Sequence, residues 1–257
     1  MITWIKRLAL VVFLLLQASC SEWQPNTFTL VGELPPGFSY WAGVYYVPEP
    51  GTDCNIKDWR RTMPEHNRPW LGEYRSEIKI NIKTIIKGCR MVVDDIDIKI
   101  FARWTDVGMG QTYDRAGLMF RTELEDKHKR IFNSKDESEF YGECYWVFKT
   151  SGKYRSLTKY IECRKDLERG ERGKGKPSAI YARDQLPGKT IKMSIRLLDK
   201  EKPGVKDTWI EFPNGWKRCL GDGFEDPYGF CRGNTSDFSY YTGPYGEICT
   251  IYPGCEE

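Results

Sequence analysis

Apolar and polar residues alternate at period two in short stretches all along this chain, and that pattern commits it to β-structure. From Glu77 to Thr84, Ile78, Ile80 and Ile82 fall on one face while Lys79, Asn81 and Lys83 fall on the other. Ile96, Ile98 and Ile100 repeat the spacing, and so do Ile191, Met193, Ile195 and Leu197. Weaker alternation marks 38–47, 118–122, 143–149, 157–163 and 180–183 as further strands. No window carries the i, i+3, i+4, i+7 stripe of an amphipathic helix, so parallel βαβ units have nothing to build them. The expected class is therefore all-β, an antiparallel β-sandwich over residues 37–202. From 203 to 257 the alternation dissolves into Gly, Pro and aromatic residues with four cysteines. This segment reads as an irregular, disulfide-stapled C-terminal appendage packed on the sandwich.

The N-terminus limits where such a sheet matures. Lys6 and Arg7 precede the apolar run Leu8–Leu16, which rises only about 14 Å as a helix, short of the ~30 Å hydrocarbon core. That length fits a secretory signal over residues 1–19 and not a membrane span. The run ends in Gln17-Ala18-Ser19-Cys20, which resembles the lipobox of bacterial lipoproteins, although Gln17 stands where Leu is usual. The resemblance implies cleavage before Cys20, acylation of its thiol and a tether over residues 20–36. Several acyl chains hold a protein at a bilayer where one does not. Ser21, in place of the Asp that retains enteric lipoproteins at the inner membrane, implies an outer-membrane anchor facing the periplasm.

Cysteine arithmetic leads to the same compartment. With Cys20 lipidated, Cys54, Cys89, Cys144, Cys163, Cys219, Cys231, Cys249 and Cys255 remain, an even set suited to four disulfides in an oxidising space. Their connectivity stays open, with Cys54–Cys89 and Cys144–Cys163 the favoured pairs because each joins the ends of neighbouring strands. Zinc is a poor alternative: no C-x₂-C pair occurs and only His66 and His128 are present.

Loss of Lys6 and Arg7 takes the basic count from 39 to 37 against 36 acids, so net charge falls from +3 to +1. A nucleic-acid partner is not expected at that balance. Nucleophilic triads need a base, usually His, and His128 lies in the charge run EDKHKR while His66 lies in a polar loop. The stretch GERGKGKP puts Pro177 where a phosphate loop requires Ser or Thr. Asp94, Asp95 and Asp97 lack a loop glycine for calcium, and alternation sends Asp94 to the opposite face from the other two. The expectation is a protein without enzymatic activity, metal or cofactor.

Interface chemistry is better represented. The long connection Lys57–Tyr74 holds Trp59, Arg60, Arg61 and Trp70, residue types that dominate binding hot spots. Trp209, Phe212, Trp216 and Lys217 form a second such group; packing against the sandwich is the competing account of both. The connections 124–139 and 167–177 are charged and read as solvated.

The segments QTYDRAGL (111–118), ECYWVF (143–148), ARDQLPGKT (182–190), DTWIEFPNGWKRC (207–219) and CTIYPGC (249–255) together resemble a group of proteobacterial lipoproteins. That group is similar to immunity proteins encoded beside type VI secretion phospholipase effectors. The likeness spans most of the mature chain, and its motifs are turns, cysteines and aromatics. It implies a membrane-anchored periplasmic protein that binds a secreted lipase effector and occludes its cleft. The alternatives are a structural or accessory cell-envelope lipoprotein and, further off, a carboxylate-based hydrolase.

Overall fold

The computed structural model describes residues 25–54, 77–106, 110–166 and 173–256. Cys20 and the loop residues Trp59, Arg60, Arg61, His66 and Trp70 lie outside these segments.

Sixteen strands carry the described chain. They are β1 (Thr27–Glu33), β2 (Phe38–Pro48), β3 (Glu77–Asn81), β4 (Lys83–Ile86), β5 (Cys89–Arg103), β6 (Gln111–Arg121), β7 (Glu137–Ser151) and β8 (Ser156–Asp166). Then come β9 (Ser178–Ala182), β10 (Thr190–Leu197), β11 (Lys202–Pro203), β12 (Trp209–Phe212), β13 (Gly215–Cys219), β14 (Phe238–Ser239), β15 (Tyr241–Thr242) and β16 (Ile248–Cys249). The helical content is two single turns, Asp126–His128 and Arg183–Gln185.

The strands form one sheet in the order β16-β15-β8-β7-β10-β1-β3, a second in the order β2-β5-β6-β9 with β4 beside β5, and a small third of β12-β13-β14. The first two curl around one core. Ile96, Ile98 and Ile100 of β5 meet Ile191 and Met193 of β10 there, all essentially without solvent exposure. The chain passes between these sheets at Ile82, whose N–H donates to Asn26 O while its carbonyl accepts from Val93 N, both at 2.9 Å. On the opposite side Asp114 of β6 reaches β8: its Oδ2 accepts the Cys163 amide at 2.6 Å and the Lys176 ammonium at 2.5 Å.

All-β architecture follows the expectation from alternation, but the antiparallel reading needs correction. β1–β10, β10–β7, β6–β9, β11–β7 and β15–β8 are parallel. Alternation reports which face of a strand is buried and is blind to its direction. The antiparallel hairpins β5–β6 and β7–β8 join neighbours in sequence, whereas β1 and β10 meet across most of the chain. Residues 27–33, assigned to the tether, form β1 between β10 and β3, with Phe28 and Leu30 in the core. Two buried apolar side chains are too few to announce a strand. Asp94 departs from its assigned face because the β2–β5 register shifts between Tyr45, opposite Asp95, and Tyr46, opposite Val93. The extra residue is a bulge, which turns Asp94 toward Arg183, 2.9 Å away.

Both favoured disulfides form, Cys54–Cys89 and Cys144–Cys163, the second inside the core. The remaining four cysteines pair locally as Cys219–Cys231 and Cys249–Cys255.

Candidate partner-binding surface

The C-terminal appendage lacks the periodicity that would let it fold by burying one face, so other forces must order it. An aromatic cluster seats it on the larger sheets. Phe148 of β7 stacks on Tyr252 at 4.1 Å and meets the edges of Trp209 at 5.1 Å and Trp216 at 5.8 Å. Trp209 also packs on Tyr241, whose hydroxyl donates to Ile251 O at 2.9 Å. Glu201, between the cluster and the sheet, accepts from the Tyr252 hydroxyl and from Lys159 Nζ.

Two buried guanidiniums hold the loops. Arg218 of β13 donates to Thr150 Oγ1 of β7 at 2.8 Å, Thr208 O at 2.7 Å, and the Gly229 and Tyr228 carbonyls at 2.5 Å. Burial pushes its pKa down to about 10, with the neighbouring Arg155 charge a further cause. Arg155, in the β7–β8 turn, gathers the carbonyls of Cys219, Leu220, Gly223 and Asp226 and the hydroxyl of Ser239. Arg is suited to this work because its planar fork carries five donors in fixed directions. Gly229 is required for the fit: its φ is +50°, and a Cβ there would lie 2.8 Å from Arg218 Nη1. Asp226 closes the same loop by accepting backbone amides from Asp222 and Tyr228, and these, with Gly229, hold its carboxyl below the usual range.

This framework displays large apolar side chains to solvent. Phe224 is 52% exposed, Tyr228 68%, Tyr240 45%, Tyr245 72% and, from the β7–β8 turn, Tyr154 66%. Phe224 and Tyr240 stack with ring centroids 5.2 Å apart. Thr242 donates to the Tyr154 carbonyl and pairs with the exposed Ile248, which brings the turn, β15 and β16 to one place. Scattered apolar side chains are ordinary on a surface. Several aromatics on loops fixed by two disulfides and two buried arginines form a preorganised surface, which lowers the ordering cost of binding.

Among the second group of residues singled out in the sequence, Trp209 is 5% exposed and belongs to the seating cluster, with Trp216 packed against it. Phe212 packs edge-on against Phe238, and Lys217 lies over both rings. The displayed rings Phe224, Tyr228 and Tyr245 carried no sequence signal that separates them from Trp209. Tyr240 did carry one: it adjoins Tyr241 in an extended segment, and adjacent strand residues point to opposite faces.

His128 is exposed in its single turn. Asp94 pairs with Arg183 and Arg121. Glu143 and Asp166, both buried, share Arg196 Nη2 at 3.0 and 3.2 Å. Among the described residues no three His, Cys, Asp or Glu side chains group as metal ligands. Comparison with known proteins finds no matching family model, curated protein or solved structure.

Proposed function

We propose that this protein is an exported lipoprotein, anchored through Cys20 to the outer membrane, that neutralises a secreted toxic enzyme by stoichiometric occlusion. The enzyme is of the phospholipase type implied by the sequence resemblance. One observation carries the reading: exposed aromatic side chains sit on irregular loops that two disulfides and two buried guanidiniums fix in place. Fixed apolar loops bind with little loss of conformational freedom, and aromatic anchors supply most of the energy at such surfaces. The four disulfides suit an oxidising compartment, and a lipid anchor holds the inhibitor beside the membrane that a phospholipase attacks.

The test is titration of the purified chain into a hydrolysis assay of a secreted phospholipase captured with it in a pull-down. Activity is expected to fall linearly and reach its floor at equal molar amounts, with Phe224→Ala/Tyr228→Ala shifting the titration to higher protein. Undiminished hydrolysis at excess protein refutes the proposal.

A further inference from the structure

The near-neutral charge of the mature chain conceals a strong polarity. Between Cys20 and Cys219 there are 36 basic and 29 acidic residues; from Leu220 to Glu257 there are 1 basic and 7 acidic. The body thus carries +7 and the tail −6, and the negative segment is the one that bears Phe224, Tyr228, Tyr240 and Tyr245. Arg232, the one cation the tail itself carries, pairs with Asp222 at 2.8 Å, and the guanidiniums of Arg155 and Arg218 that reach the 220–230 loop are buried beneath it. Glu225 is exposed and without an ion pair among the described residues, and the carboxylate of exposed Asp237 accepts from the neutral Asn234 Nδ2 at 2.9 Å.

We propose that this acidic, aromatic pole docks a basic protein surface, taking its arginine and lysine side chains. The inference rests on the reading of the protein as a binding partner and names the chemistry of what it binds. Ring faces attract cations through their quadrupole, and Arg adds planar stacking. The outer faces of the Phe224–Tyr240 stack and of the Tyr228 ring, which stacks on Phe230 with centroids 6.1 Å apart, supply such faces, and exposed Glu225, next to Phe224 in sequence, and Asp237 supply carboxylates on the same tail. An anionic bilayer is the wrong counterpart, because the tail's charge repels it while the body's attracts it. An anchored molecule therefore turns its basic body to the membrane and its acidic pole outward, toward an approaching protein.

The experiment records amide chemical shifts of the purified full chain during titration with a synthetic Arg–Ser repeat peptide and its Glu–Ser counterpart. It also includes sedimentation with phosphatidylglycerol vesicles. Shifts are expected at Phe224, Tyr228 and Tyr240 with the Arg peptide only. Glu225→Lys/Asp237→Lys should slow association about tenfold at low salt, and Phe224→Ala or Tyr240→Ala should weaken binding about two- to fivefold each. All these side chains are exposed, and an unchanged melting temperature verifies that the variants fold. Shifts confined to the body, equal response to the Glu peptide, or vesicle binding abolished by the ring substitutions would overturn the proposal. If the lipase is inhibited equally by the wild-type and charge-reversed chains, inhibition stands and the basic-partner inference falls. If the Arg peptide binds at this pole and the lipase is untouched, the docking chemistry stands and the neutralising role falls.

Discussion

Phe148 is the residue through which the appendage is seated, and its removal tests whether that part can loosen by itself. The ring has no solvent exposure and contacts Tyr252 at 4.1 Å, Trp209 at 5.1 Å and Trp216 at 5.8 Å. Truncating a buried Phe to Ala costs about 3–5 kcal/mol through lost transfer energy and the cavity left behind. The stacked pair with Tyr252 adds about 1 kcal/mol beyond area, so Phe148→Ala is expected to lose about 5 kcal/mol. That loss falls on a small aromatic cluster, whereas the main core, built on Ile96, Ile98, Ile100, Ile191 and Met193, keeps every contact of those side chains. Native-state hydrogen exchange read by mass spectrometry resolves the two parts. Amides of 209–219 should exchange about four-thousandfold faster, at roughly 1.4 kcal/mol per decade. Amides of 91–102 should change little. Equal acceleration of both segments, or a change below about tenfold in the appendage, would refute the idea of a separately seated part.

Three further outcomes follow from the same contacts. Arg218→Met strips the Tyr228 and Gly229 carbonyls of their donor and should weaken the 220–230 loop by about 2 kcal/mol; limited proteolysis should cut there first, with the sheets intact. Replacing Cys144 and Cys163 by Ala opens a covalent loop with a sequence separation of 19 and should cost about 3 kcal/mol in urea denaturation. Glu49, Glu137 and Asp226 are held below the usual carboxylate range, by Lys83, by Lys192 and by backbone amides headed by that of Asp222. A lowered folded-state pKa gives stability that is full above the ordinary range and lost as pH falls through the folded value. Melting temperature should therefore hold from neutrality to about pH 5 and decline below about pH 4. A flat profile into that acid range would contradict these pairings.

The sequence revealed what periodicity can carry. Ile96, Ile98 and Ile100 announce a core-facing strand because alternate side chains share a face. The same signal holds no record of strand direction, and so the parallel β1–β10–β7 arrangement was out of its reach. Cysteine count pointed to full pairing, and the expectation that strand ends meet picked Cys54–Cys89 and Cys144–Cys163, although Cys144 and Cys163 face each other mid-strand in the β7–β8 ladder. The candidate surface was less legible. Its order comes from Arg155, which bonds to backbone carbonyls far away in sequence, and from Arg218, which bonds to carbonyls about one loop away, and carbonyls leave no imprint in residue identity. Aromatic residues in an aperiodic tail look alike on paper. Only packing distinguishes Trp209, inside, from Tyr228, outside.

The account depends most on a protein partner meeting the appendage. A photoreactive residue placed at Tyr228, and separately at Ile85 on the β4 strand of the body, probes that contact in living cells; both positions are exposed. A single protein adduct is expected from position 228, identified by mass spectrometry as a secreted phospholipase, and none from position 85. Lipid adducts from position 228, or the same protein captured equally from both positions, would contradict it.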